Sequence, residues 1–214
     1  VISGGLAGSR IGFRGTEDLG NGLKALFTLE YAIGPDVNGG IDGSRQSFVG
    51  LSGNFGTVSL GRQYAPGFGA TASLGAIAAG PLDPIALLTA GLGIQPGGNA
   101  RWDNSVKYVS PSFSGFTAEA IYSFSGISGA VADAAGENRM DNNDLGLGLT
   151  YNNGPLNVRY VYQATESTAE TETDEHLVGA SYNFGVMTLT GTYQIAKIDT
   201  PAPGDRDVKI ATIG

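Results

Sequence analysis

Short segments in which apolar and polar side chains alternate recur along this chain of 214 residues. In FTAEAIYSF at 116–124 and LNVRYVYQA at 156–164, every second residue is apolar or aromatic, and the residues between them are mostly polar. Side chains two apart lie on the same face of a β-strand, so each segment is typical of a strand with two different surroundings. About eleven such strands, with no convincing helix outside one long insert, predict an all-β fold.

The connections between the predicted strands alternate between short and long. The short ones carry Gly and Asn, as tight hairpins require, for example Asp18–Gly22, Gly53–Gly56 and Asn153–Pro155. The long ones include residues 33–43 and the acidic segment ESTAETETD at 166–174. Short turns at one end, long loops at the other and aromatic residues at the strand ends are the pattern of a transmembrane β-barrel. A soluble β-sandwich or solenoid is the alternative that the pattern leaves open.

The longest connection, residues 65–104, does not alternate and is rich in Gly, Ala and Pro. From Ala65 to Ala100 its only ionisable side chain is Asp83. A loop of this length is uncommon in a compact domain unless it has a function. We therefore predict that it folds inward to narrow a pore whose wall is formed by the strands.

Composition excludes several other classes. The chain has no cysteine, which removes disulfides and thiolate chemistry, and its apolar runs are shorter than the ~20 residues of a membrane helix. The net charge of −8 argues against a nucleic-acid partner. All of it falls in residues 108–214, because residues 1–107 hold seven basic and seven acidic residues. No signal-peptide pattern is present, and we expect the chain to be a fragment.

Four long phrases resemble the general-diffusion porins of Gram-negative outer membranes, particularly the β-proteobacterial type. They are SRIGFRGTEDLGNGLKALFTLE at 9–30, SFVGLSGNFGTVSLGRQY at 47–64, RWDNSVKYVSPSFSGF at 101–116 and GASYNFG at 179–185. The resemblance implies a 16-stranded antiparallel transmembrane β-barrel, usually trimeric, whose third external loop folds into the lumen. On that template, residues 1–214 form one incomplete barrel domain covering about strands 2 to 12, and residues 65–104 form the constriction loop.

The resemblance also implies partners and wall residues. An outer-membrane porin of this kind contacts membrane lipid and lipopolysaccharide, forms a homotrimer and passes ions and small hydrophilic solutes. Its family places basic wall residues opposite acids on the loop. Arg10 and Arg45 match two family wall arginines, and Arg101 is a candidate third. Arg10 also alternates with apolar neighbours and so points inward, whereas Arg45 shares its parity with Val49 and Leu51, which leaves its direction open.

Four more residues are predicted to lie along the pore. Lys107 and Arg159 alternate with apolar residues and are expected to line the lumen, although an ordinary solvated wall explains Arg159 equally well. Arg62 shares the parity of its apolar neighbours, so that only a bulge or a rim position would turn it to water. Asp83 is the one loop acid expected to face the arginines.

Several arginines opposite a single carboxylate predict a positive constriction, and such a constriction favours anions. We therefore expect a weakly anion-selective channel. The alternative is a structural or adhesive outer-membrane barrel whose surface loops bind a partner, and ion conductance separates the two. An enzyme is not expected, since the only histidine, His176, has no evident catalytic partners. No cofactor motif or metal-ligand cluster is found either.

Overall fold

The computed structural model describes residues 8–36, 40–75, 83–97, 100–124, 143–167, 171–200 and 204–214. Within these ranges eleven strands form one antiparallel sheet in which every strand pairs with its neighbours in sequence order. The strands are β1 Arg10–Gly20, β2 Leu23–Gly34, β3 Gly40–Gly53, β4 Gly56–Tyr64, β5 Arg101–Val109, β6 Phe116–Ser123, β7 Asp144–Asn153, β8 Leu156–Ser167, β9 Thr171–Asn183, β10 Thr188–Asp199 and β11 Arg206–Ile213. The antiparallel all-β fold predicted from the alternation is confirmed.

Two predicted long loops are shorter in the structure. The loop predicted at 33–43 is one of them, because β2 ends at Gly34 and β3 begins at Gly40. The acidic segment at 166–174 is not a long loop, because β8 continues to Ser167 and β9 begins at Thr171. Glu166 pairs with Glu172 and Thr165 with Thr173, so the two strands form a ladder through it. The prediction treated the density of acids as a sign of a loop. Thr and Glu alternate there, however, and an alternating polar segment can pair as a strand wherever water surrounds it.

The two faces of the sheet have opposite chemistry. In β7, Asp144, Gly146 and Gly148 are buried, while Leu145, Leu147 and Leu149 alternate with them and are exposed. We call the first side the loop face, because the insert packs on it, and the second the outer face. On the outer face the large apolar side chains remain open from one end of the sheet to the other, including Phe27, Val49, Leu60, Tyr122, Tyr160, Val178 and Tyr193. An outer face of this kind is the lipid-facing surface of a transmembrane β-barrel.

The long insert contains two short helices, α1 Pro66–Leu74 and α2 Pro84–Leu88. No helix among the described residues has the length and hydropathy needed to cross a membrane. The insert leaves and rejoins the sheet at one point, where the Ala65 N–H donates to the Ala100 carbonyl at 2.9 Å. From there α1 crosses the loop face of β6 to β10, and α2 reaches β11. Residues 76–82 and 98–99 of the predicted constriction loop lie outside the described residues.

Apolar contacts hold the insert against the sheet. Ala70, Leu74, Ile85 and Ile94 of the insert form a buried cluster with Val161 and Leu177 of the wall. Burying a valine, leucine or isoleucine side chain contributes about 1.5–3 kcal/mol. Ala65 packs separately against Trp102 and Ile121 at the start of the insert.

Glycine residues on the wall allow the insert to approach closely. A Cβ at Gly146 would lie 3.0 Å from Cδ of Pro66 and 3.1 Å from the Trp102 ring, and a Cβ at Gly179 would overlap the Leu74 side chain. Any larger residue at these two positions would displace α1. Gly146 and Gly148 of the segment LGLGLTY at 145–151 are therefore explained by packing against the insert.

Candidate functional site

Arg45 is turned to the loop face by a β-bulge. Glu30 pairs with Gln46 and Tyr31 pairs with Ser44, so Arg45 has no partner across the strand pair. An extra residue of this kind changes the direction of a side chain without ending the strand. The Arg45 Nε donates to Glu30 Oε1 at 2.6 Å, and both side chains are about one-fifth exposed. The bulge resolves the direction that the alternation of β3 left open.

Tyr64 connects Arg45 to Arg101 at the point where the chain leaves the wall. Its hydroxyl accepts a hydrogen bond from Nη2 of Arg101 at 2.9 Å and another from Nη2 of Arg45 at 3.3 Å. The Arg101 guanidinium also lies over the Tyr64 ring, 4.7 Å from its centroid. On its other side, the Tyr64 ring stacks on Phe68 of α1, with centroids 3.7 Å apart. Two guanidinium groups are thus held together beside the first helix of the insert.

Arg62 lies opposite a second bulge. Gly61 pairs with Ser105, but Gln63 pairs with Trp102, so the register shifts across from Arg62. Its guanidinium reaches Asp103 Oδ1 at 2.5 Å and the Ser44 carbonyl at 2.8 Å. The charge of Arg62 is therefore partly neutralised by an acid of the wall, in contrast to that of Arg101.

Lys107 and Arg159 lie farther along the loop face, beside Glu119. Lys107 Nζ is 2.8 Å from Glu119 Oε2. The Arg159 guanidinium lies against α1, close to Gly69, and its Nε donates to Asn157 at 3.3 Å. These three side chains form a mixed group with one more positive than negative charge.

Arg10, the remaining predicted arginine, is at the start of the edge strand β1. It pairs with Ala32 and is two residues from Gly12, which pairs with Glu30. Its side chain is exposed, and its Nε donates to the Gly8 carbonyl at 3.3 Å. Arg10 therefore shares the face of Glu30 and Arg45, but no contact among the described residues joins it to the pair at Tyr64.

The position predicted for Asp83, facing the arginines, is wrong. Asp83 is only 1% exposed and precedes α2, where its Oδ1 accepts a hydrogen bond from the Ile85 N–H at 3.0 Å. The carboxylate stabilises a helix N-terminus inside the insert. Since Asp83 is the only ionisable residue from Ala65 to Ala100, the surface that the described part of the insert presents carries no acid.

A buried carboxylate that the sequence did not reveal holds the insert to the wall. Glu175 of β9 is fully buried, and its two oxygens accept hydrogen bonds from the backbone N–H groups of Gly93 at 2.5 Å and Ile94 at 3.0 Å. Gln194 of β10 donates to Glu175 at 2.9 Å and to the Ile94 carbonyl at 3.1 Å. Hydrogen bonds to a charged acceptor are about twice as strong as neutral ones, so Glu175 is a main anchor of the insert.

Gln163 of β8 anchors the other end of the insert. Its Oε1 accepts a hydrogen bond from the Gly67 N–H in the first turn of α1 at 2.7 Å, and the side chain is fully buried. The sequence offered one clue to both anchors: Gln163 and Glu175 alternate with outward-facing tyrosine and histidine residues, so they point inward.

The site lies on the polar loop face of a sheet whose other face is apolar, with an inserted segment packed across it. That arrangement is the wall of a transmembrane β-barrel. A family model described as Gram-negative porin matches residues 2–214. The chain therefore belongs to the Gram-negative porin family, whose members are channels of the bacterial outer membrane.

Named relatives agree with this assignment. The chain is 40% identical over 211 residues to outer membrane porin protein 32 of Delftia acidovorans, covering 94% of this chain and 58% of that protein. It is 36% identical to an outer membrane porin protein of Bordetella pertussis, covering 90% of this chain and 53% of that protein. A solved structure described as an anion-selective porin from Comamonas acidovorans is 35% identical, with a TM-score of 0.78, and the match covers 99% of this chain and 64% of that one. The chain thus spans between half and two thirds of their length.

Proposed function

We propose that the full-length protein forms a water-filled channel for the passive passage of ions and small hydrophilic solutes, with a weak preference for anions. The observation that carries the proposal is the unequal charge at the insert. Arg45 and Arg101 meet at Tyr64 beside α1, whereas Asp83, the one acid between Ala65 and Ala100, is buried. Basic side chains at a narrow point favour anions, and low-dielectric walls strengthen their field.

Two further observations support this proposal. The basic side chains continue along the loop face with Lys107 and Arg159, with Glu119 as the acid beside them. A relative 35% identical in sequence is described as anion-selective. The net charge of −8 does not oppose the proposal, because the acids of the second half include Glu166, Glu172 and Asp174 at the long-loop end of the sheet.

In this proposal residues 65–104 form the constriction, with Arg10, Arg45, Arg62, Arg101, Lys107 and Arg159 along the channel. We further propose that the protein works as a homotrimer bounded by membrane lipid and lipopolysaccharide, consistent with the open apolar outer face. These assemblies and surroundings are expectations from the family.

The test is the zero-current potential of the full-length protein in a planar lipid bilayer across a gradient of potassium chloride. We expect stepwise conductance increases and a potential whose sign shows chloride to be more permeant than potassium. A potential showing cation preference would refute the selectivity. A folded, inserted protein that conducts no ions would refute the channel itself and favour the adhesive alternative.

A further inference from the structure

Two like charges at Arg45 and Arg101 require a structural reason to remain together. Arg45 and Arg101 both donate to one hydroxyl group, so their positive charges lie close enough to repel each other. Glu30 neutralises Arg45 and Asp103 neutralises Arg62 at salt-bridge distance, whereas no salt bridge to Arg101 is found among the described residues. The group that contacts both Arg45 and Arg101 is the Tyr64 hydroxyl.

Several contacts fix the position of Tyr64. It is the last residue of β4 and pairs with Arg101 across the ladder to β5. Its hydroxyl oxygen accepts from the two arginines, and its ring lies beneath the Arg101 guanidinium, where a cation is attracted to the π-system. The Tyr64 ring also stacks in parallel on Phe68, with an interplanar angle of 8°.

We propose that Tyr64 is a positioning residue that holds Arg45 and Arg101 side by side at the constriction. Its stack on Phe68 couples this arrangement to the packing of the insert on the wall. The inference rests on the proposed anion preference and deepens it. Without the hydroxyl acceptor, repulsion would drive the two flexible side chains apart and lower the local positive field. Without Phe68, the Tyr64 ring would lose the surface that fixes its plane.

Tyr64→Phe tests the hydroxyl while it keeps the ring, the stack and the cation–π contact. We expect the chloride-to-potassium permeability ratio of the full-length protein to fall by roughly two- to tenfold, the range that one lost hydrogen bond produces in an equilibrium constant. Single-channel conductance should change little, since the insert stays anchored by Glu175 and Gln163. Phe68→Leu should lower the same ratio by acting through the ring.

The matched control is Tyr108→Phe, which removes a hydroxyl bonded to the Phe55 carbonyl on the outer face and should leave the ratio unchanged. A second experiment introduces Tyr64→Phe where Arg45 and Arg101 are already glutamine. If Tyr64 acts through the arginines, it should then have no further effect, because coupled residues are not additive. A full effect in that background would overturn the inference.

The outcomes also separate this inference from the proposed function. Cation preference in the unaltered protein would refute the anion-selective function. Anion preference that survives Tyr64→Phe unchanged, in a correctly folded protein, would refute the positioning role alone. A loss of conductance and selectivity together would show Tyr64 to be a structural residue of the insert, which also contradicts the proposal.

Discussion

Replacing both Arg45 and Arg101 by glutamine should change the proposed anion preference of the channel to a cation preference. The two guanidinium groups share the Tyr64 hydroxyl, and their removal leaves Glu30 without its partner on the same face. A unit charge acts on an ion about 4 Å away with about 4 kcal/mol at an effective dielectric constant of about 20. Water in the channel reduces this interaction energy. A remaining energy of about 1 kcal/mol already corresponds to a roughly fivefold change in the permeability ratio. The measurement is the zero-current potential across a salt gradient.

Three comparisons make this prediction specific. Arg45→Lys with Arg101→Lys preserves both charges and should preserve the sign of the selectivity, although lysine cannot reproduce the planar fork. Arg14→Gln removes one charge on the same face nearer the short turns and should have a much smaller effect. The shift should also weaken as salt rises from about 0.1 M to about 1 M, because the Debye length falls from ~10 Å to ~3 Å. Unchanged anion preference in the double glutamine variant would refute the role of this pair.

The sheet could be predicted from the sequence because apolar side chains alternate with small or polar ones in its strands. Leu145, Leu147 and Leu149 alternate with small or polar residues, and a sheet between lipid and water requires that alternation. The insert could be recognised in the sequence because its residues do not alternate in this way. Register and strand ends were less accessible, as at Thr171, where acids suggested a loop although their spacing allows a strand.

The direction of the key arginine could not be predicted for a different reason. Arg45 has the parity of Val49 and Leu51 but the face of Glu30, because a bulge inserts one residue between them. A bulge depends on the partner strand as well as on its own sequence, so counting residues along one strand cannot reveal it. The contact of Tyr64 with Arg101 likewise depends on a second bulge in β5, where Asn104 has a φ of 45°.

The sequence around Asp83 contains a helix-capping pattern that predicts its position better than its charge does. An aspartate directly before proline is typical of a helix N-terminus, with the carboxylate as cap and the proline in the first turn. The structure has this arrangement at Asp83 and Pro84. The charge of Asp83 suggested a place in the pore, whereas its local sequence predicts a structural role. Its burial strengthens the case for a positive constriction, since no loop carboxylate opposes the arginines among the described residues.

Replacing Glu175 by alanine should release the insert from the wall and widen the channel. The substitution leaves the N–H groups of Gly93 and Ile94 without their acceptor in a buried place, at a cost of about 1–3 kcal/mol each. A loss of about 2 kcal/mol changes the equilibrium constant between the wall-bound and the released insert by roughly 30-fold. Single-channel conductance and current noise should therefore rise, while the apolar contacts of Leu74 with the wall still retain α1.

A spin label on Leu88→Cys reports the insert directly, because Leu88 is 54% exposed and the chain contains no other cysteine. Its mobility should increase with Glu175→Ala and also with Glu175→Gln, whose amide keeps the shape but can no longer accept at both positions. Glu172→Gln is the matched control, an exposed carboxylate of the same strand three residues away. If label mobility and conductance stay unchanged in folded Glu175→Ala protein, the apolar contacts alone hold the insert. In that case the buried carboxylate is not needed to hold the insert against the wall, and water must accept hydrogen bonds from its two backbone donors.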